Sequence, residues 1–219
     1  MTWLAQLIEP LNRVLFQLGD DAVSWAELLG FITGGLGVWL TVRRRIANFP
    51  VGIANSAFFL VLFASSRLWA DSGLQVVYLA LGFLGWWQWL RRGTDGRALV
   101  VTRASRLSIG GCLLFVLLAT IGLTLLLRIT HDAAPFWDAL TTALSLSAQW
   151  LLNARKVQTW WFWIAADCIY LPLYATRHLE LTVLVYLLLL GMCFAGLASW
   201  RRVSLEPAVA PPGQAAVAV

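Results

Sequence analysis

Trp160, Trp163, Asp167, Tyr170 and Tyr174 are spaced 3, 4, 3 and 4 apart, so they line one stripe of a helix. A carboxylate between indole faces makes a box for a flat organic cation, each face contributing roughly 0.5–2 kcal/mol. The rival reading is structural, with Asp167 hydrogen-bonded to a neighbouring helix and the indoles simply packed. Asp167 lies about ten residues beyond the basic Lys156, ~15 Å along a helix and in the middle of an apolar run. An acid there costs roughly 2.5–3.5 kcal/mol to insert and is kept facing a cavity or a partner.

Other runs carry polar candidates too. Asn48 and Asn55 share a helix face, and Pro50 and Gly52 between them are expected to loosen the helix and free backbone groups. Gln75 and Tyr78 share a face, Gln88 sits within Gly85-Trp-Trp-Gln-Trp89, and Gln149 and Asn153 are four apart. Their amides suit a hydroxyl-rich ligand or, equally, bonds between helices. Trp39, Trp89, Trp150 and Trp200 lie close to basic residues and read as an interfacial aromatic belt.

Catalysis finds little support. His131 and His178 lie far apart in predicted loops, and no Gly-x-Ser-x-Gly, zinc or phosphate-loop pattern occurs. Cys112, Cys168 and Cys193 fall inside apolar runs without metal or disulfide spacing. No enzyme activity, metal or cofactor is expected.

The elements that must position these residues follow from composition. Of 219 residues 60% are apolar and only 12% charged, with a mean hydropathy of +0.75, far from the soluble class. The net charge of +5 sits at the ends of apolar runs, where it sets membrane orientation rather than nucleic-acid binding. Seven runs are long enough to span a bilayer, at 24–42, 48–65, 72–90, 107–128, 137–153, 157–175 and 181–200. Before them, Trp3, Leu4, Leu7, Ile8, Leu11, Val14, Leu15 and Leu18 recur at helical spacing, predicting an amphipathic interfacial helix.

Twelve of the 16 basic residues, among them Arg43–Arg45, Arg91, Arg92, Arg155, Lys156, Arg201 and Arg202, follow runs one, three, five and seven. The positive-inside rule then puts the N-terminus outside and the C-terminus in the cytoplasm.

Sliding the chain by 111 residues pairs Trp39 with Trp150, Arg44 with Arg155, Phe83 with Phe194, Gly85 with Gly196, Trp89 with Trp200 and Arg91 with Arg202. Shared Trp and Arg positions in one gapless register predict an internal repeat of three helices, joined by an inversion linker. The domains expected are an amphipathic segment 1–22, a first repeat 23–92, a cytoplasmic loop and linker helix 93–130, a second repeat 131–202 and a disordered cytoplasmic tail 203–219. Two parallel halves imply a pseudo-two-fold axis along the membrane normal, with a substrate path between them.

Ala47-Asn-Phe-Pro-Val-Gly-Ile-Ala-Asn55, Gly85-Trp-Trp-Gln-Trp-Leu90 and Leu152-Asn-Ala-Arg-Lys-Val-Gln-Thr-Trp-Trp-Phe-Trp-Ile-Ala-Ala-Asp167, with Tyr170 and Tyr174, resemble the bacterial PnuC vitamin transporters. The resemblance covers nearly all of 24–202 and implies a SWEET-like 3+1+3 all-α membrane fold. It implies uptake of nicotinamide riboside for NAD biosynthesis by facilitated diffusion across the inner membrane, with a cytoplasmic kinase trapping the product, and a homotrimer. It carries the substrate site onto Trp160, Trp163 and Asp167, with Asn48, Asn55 and Gln88 from the first half. Where many members read Glu-Asn before the first tryptophan, this chain reads Gln158-Thr159. Thr159 therefore joins the candidate contacts, and thiamine or riboflavin stays open behind nicotinamide riboside. A SWEET-type sugar carrier and a non-transporting scaffold are the other readings.

Overall fold

The structure is a computed structural model that describes residues 10–11, 13–18, 21–65, 69–93, 100–129, 134–177 and 179–205. Most of the expected interfacial helix, the end of the tail, His131 and His178 lie outside them. Seven helices are described: α1 (Trp25–Val42), α2 (Asn48–Ser65), α3 (Trp69–Gly93), α4 (Arg106–Ile129), α5 (Pro135–Asn153), α6 (Thr159–Ala175) and α7 (Glu180–Leu205). By length and composition α4 and α7 are apolar enough to cross a membrane, with hydropathies of 2.5 and 2.4. The chain is a helical membrane protein.

Two expectations fail locally. Val14–Leu18 is a strand, β1, paired antiparallel with β2 (Asp21–Ser24) instead of continuing an amphipathic helix. Val14 is β-branched and Phe16 aromatic, types that favour a strand. Pro50 and Gly52 do not break α2, which is continuous. Pro50 stands in the first turn, where a missing N–H would have had no helical partner anyway.

Around the bundle, α1 packs on α2, α2 on α3, α3 on α5, α5 on α6, α6 on α7 and α7 back on α1, closing a ring of six helices. The remaining helix, α4, packs chiefly on α5. Small buried residues of α5, including Ala139, Thr141, Ala143, Ser145 and Ala148, let its neighbours approach closely. A core of Cys112 and Val116 from α4, Leu144 and Leu151 from α5, and Phe162 and Ala166 from α6 fills that side.

The turns after α1 and α5 share their hydrogen bonds at an offset of 111 residues. Arg44 N–H donates to Thr41 O (2.9 Å) and Arg45 N–H to Leu40 O (2.9 Å); Arg155 N–H donates to Leu152 O (2.8 Å) and Lys156 N–H to Leu151 O (2.8 Å). Each is a Schellman ending, whose left-handed residue is usually glycine. Here it is arginine both times, Arg44 at φ 55° and Arg155 at φ 57°, held there at a cost of order 1–2 kcal/mol.

Candidate functional site

The turns aim the next helices inward. At the arginine-rich end of the bundle Phe49 meets Trp89 edge-on at 5.0 Å, Trp160 meets Trp200 edge-on at 5.5 Å, and Trp89 lies 6.5 Å from Trp200. Close approach needs Gly85 against Phe49 and Gly196 against Trp160, because a Cβ at either position would run into the facing ring. Helices α3 and α7 also make crossing bonds. Trp89 Nε1–H donates to Asn153 O at the end of α5, and Trp200 Nε1–H donates to Thr41 O at the end of α1, both at 3.2 Å. Thus Trp89 and Trp200 are 1% and 0% exposed, which corrects the belt reading for these two. Trp39 and Trp150, at 46% and 53%, are exposed as a belt requires. Charge proximity in sequence gives a helix end but not a helix face, so it could not separate the two pairs.

Moving along α6 from this aromatic plug, Trp163 is half-buried and packs against the cores on both sides of the helix. Trp160 is fully buried, and its indole N–H has no hydrogen-bond partner. A buried donor left unmet costs about 1–3 kcal/mol. One turn beyond Trp163, Asp167 is 5% exposed and accepts a 3.5 Å hydrogen bond from Cys193 Sγ of α7. No cationic side chain among the described residues pairs with it. Next come Tyr170 and Tyr174, stacked at 5.4 Å, with Tyr186 of α7 5.0 Å from each. Tyr170 is hydrogen-bonded to Thr141, and Tyr78 of α3 to Ser145. The stripe of Trp160, Trp163, Asp167, Tyr170 and Tyr174 thus faces α5 and α7 as one continuous surface.

Other sequence candidates are placed elsewhere. Asn48 donates to Arg45 O (2.9 Å) and closes the turn before α2. Asn55 ties α2 to α1 through Thr33 Oγ1 (2.6 Å) and Gly30 O (3.2 Å). Thr159 is buried and donates to Ala148 O (2.7 Å). Gln158 Oε1 accepts from Ala104 N–H (2.7 Å), holding the segment before α4 against the turn after α5. Asn153 bridges helices, donating to Leu81 O (2.8 Å) and accepting from Gln149 (3.1 Å). Gln88 lines a cavity of 440 Å³ between the ends of α3 and α5, with Asn153 also in its wall. Gln75 is half-buried on α3. Cys193, Tyr186, Thr141 and Ser145 join the stripe without a sequence signal. Apolar all round, α7 gives its face no phase, and small hydroxyls on α5 read as packing.

A family model described as nicotinamide mononucleotide transporter matches residues 24–202. The nicotinamide riboside transporter PnuC of Escherichia coli is 26% identical over 214 residues, covering 86% of this chain and 90% of that protein. The riboflavin/roseoflavin transporter RibM of Streptomyces davaonensis is 26% identical over 197 residues, covering 87% and 91%. A crystal structure of the vitamin B3 transporter PnuC superposes with a TM-score of 0.68 at 19% identity, over 93% of this chain and 90% of that one.

Proposed function

The chain belongs to the nicotinamide mononucleotide transporter family, and from that premise we propose that it carries nicotinamide riboside across a bacterial inner membrane for NAD biosynthesis. The observation that carries this reading is Asp167, a buried carboxylate without a cationic partner among the described residues, on the same stripe as Trp160 and Trp163. A pyridinium supplies the missing positive charge and a flat face for the indoles. The Trp160 N–H has no hydrogen-bond partner among the described residues, and an acceptor on the ligand would satisfy it. Tyr170 and Tyr78 add hydroxyls for a ribose. A buried acid disfavours the doubly negative phosphate of the mononucleotide, so the riboside is the better fit. We assign Asn48, Thr159 and Asn153 to holding the helix ends, and the substrate contacts to α6 and its neighbours.

Transport is by facilitated diffusion, with the two three-helix sets (23–92 and 131–202) rocking about an axis along the membrane normal and α4 as the inversion linker. Support comes from the paired turns at Arg44 and Arg155 and the reciprocal Trp89 and Trp200 bonds. The arginine-rich end faces the cytoplasm, and a kinase there traps the product. The protein works as a homotrimer.

Titration calorimetry on the detergent-purified protein with nicotinamide riboside, nicotinamide mononucleotide, thiamine, riboflavin and glucose tests the assignment. Saturable binding of the riboside alone is expected. Binding of riboflavin or thiamine instead would transfer the scaffold to another vitamin, and binding of none by folded protein would overturn the vitamin reading.

A further inference from the structure

Beside the 440 Å³ cavity at the arginine-rich end lies a second one of 520 Å³, between α3, α4 and α5, and Trp150 lines both. Their chemistry is opposite. The first is walled by Trp87, Gln88, Arg91 and Trp150, with the Arg91 guanidinium 4.0 Å over the Trp87 ring. The second is lined by apolar surface from Val77, Leu81, Gly111 and Phe115, with Ser147 among it. Ser147 Oγ is buried and has no hydrogen-bond partner. From Arg91 to Val77 is 14 residues of α3, roughly 21 Å. That is a path from the interfacial layer well into the hydrocarbon core, whose total thickness is about 30 Å.

We propose that the two cavities are one binding site for an anionic phospholipid. The phosphate sits at Arg91 and Gln88, flanked by the half-exposed Trp87 and Trp150 rings. One acyl chain descends the groove between α3, α4 and α5, and the Ser147 hydroxyl donates to an ester carbonyl. An anionic head is favoured because Arg91 brings the positive charge to the cavity, held in place by the Trp87 face. An acyl chain is favoured because the groove's lining is mostly apolar and α4, which forms one wall, packs outside the ring of helices. The site stands on the membrane character of the chain and is independent of which vitamin is carried.

Native mass spectrometry of the full chain in detergent, with phosphatidylglycerol and phosphatidylcholine in parallel, tests it. Wild-type protein is expected to retain phosphatidylglycerol about fivefold better, the effect of one arginine near a charged surface. Arg91→Gln should remove the preference. Gly111→Leu should weaken retention of both lipids, since a Cβ at Gly111 meets no atom within 4 Å and the new side chain enters the groove. Should Arg91→Gln fail to fold, wild-type protein still decides. Phosphatidylglycerol should raise its melting temperature above the phosphatidylcholine value at low salt, and the difference should vanish at high salt. Equal retention by wild type, or a preference that survives Arg91→Gln, overturns the site. So does unchanged lipid retention in a Gly111→Leu protein whose oligomer has dissociated, because the groove would then seat a second copy.

Discussion

Two stretches of the chain, 49–63 on α2 and 160–174 on α6, are built alike and equipped differently. Offset by 111 residues, Phe49, Gly52, Ser56, Phe59 and Phe63 correspond to Trp160, Trp163, Asp167, Tyr170 and Tyr174. Their geometry agrees: Phe59 stacks on Phe63 at 5.5 Å and Tyr170 on Tyr174 at 5.4 Å, while Phe49 and Trp160 each meet a tryptophan edge-on. What differs is the polar atoms. The first stripe has one hydroxyl, and the second has two indole N–H groups, a carboxylate and two phenols. Cys193, which donates to Asp167, corresponds to Gly82. The ring positions therefore match between the two stretches, and the polar groups are concentrated on the second.

The environments differ as well. The packing of α4 on α5 helps bury Ala139, Thr141, Ala143, Ser145 and Ala148. On α1, the helix in the corresponding position, Trp25, Leu29, Ile32, Leu36 and Trp39 remain exposed along one stripe. Burial on both sides surrounds α5 and α6 with packed side chains, where the interactions of a carboxylate are stronger than in water.

The sharpest way to break the comparison is at its centre. Asp167→Asn should weaken nicotinamide riboside binding about 30-fold, within the range for losing a charged partner, whereas Ser56→Ala should change it less than twofold. Calorimetry on both variants decides, and equal losses would abolish the distinction. Trp160→Phe installs the residue of the first stripe in the second. It keeps an aromatic ring but removes the N–H, and an affinity loss of about tenfold is expected by the same titration.

Where the two sides agree, matched changes should have matched effects. Gly85→Ala and Gly196→Ala each drive a Cβ into a facing ring, and each should cost about 1–3 kcal/mol. Melting temperatures in detergent should fall by similar amounts, and a large inequality would mean the two approaches are not equivalent. The smallest effect belongs to Arg44→Gly. Relief of the left-handed backbone opposes the greater freedom of an unfolded glycine, so thermal stability should move by no more than about 1 kcal/mol.

Much of this was legible before any coordinates. Run boundaries fall within a few residues of the helices because arginines punctuate the apolar stretches, as at Val42, Leu90 and Asn153. The stripe on α6 was legible because its 3-and-4 spacing is the helical period itself. Other residues betray nothing in sequence about what they touch. Asn48 and Thr159 are polar candidates in sequence, and only the fold shows their partners, Arg45 O and Ala148 O. Trp89 looks like Trp39 until a crossing helix is known to cover it. Such facts depend on tertiary neighbours, and periodicity carries only the helix and its own face.

The crossed indole bonds have a mechanical consequence. Trp89 ties α3 to the last turn of α5 and Trp200 ties α7 to the last turn of α1, both at the arginine-rich end. A joint at one end makes each set a lever. For a swing of ~10° about that joint, a group one turn away moves about 1 Å, while the far end of an 18-residue helix, ~27 Å off, moves about 5 Å. In the proposed rocking, opening at the far mouth leaves both indole bonds intact and parts the Tyr78–Ser145 contact between α3 and α5. In the same scheme, opening at the arginine-rich mouth requires both to part, along with the Asn153–Leu81 bond between α5 and α3.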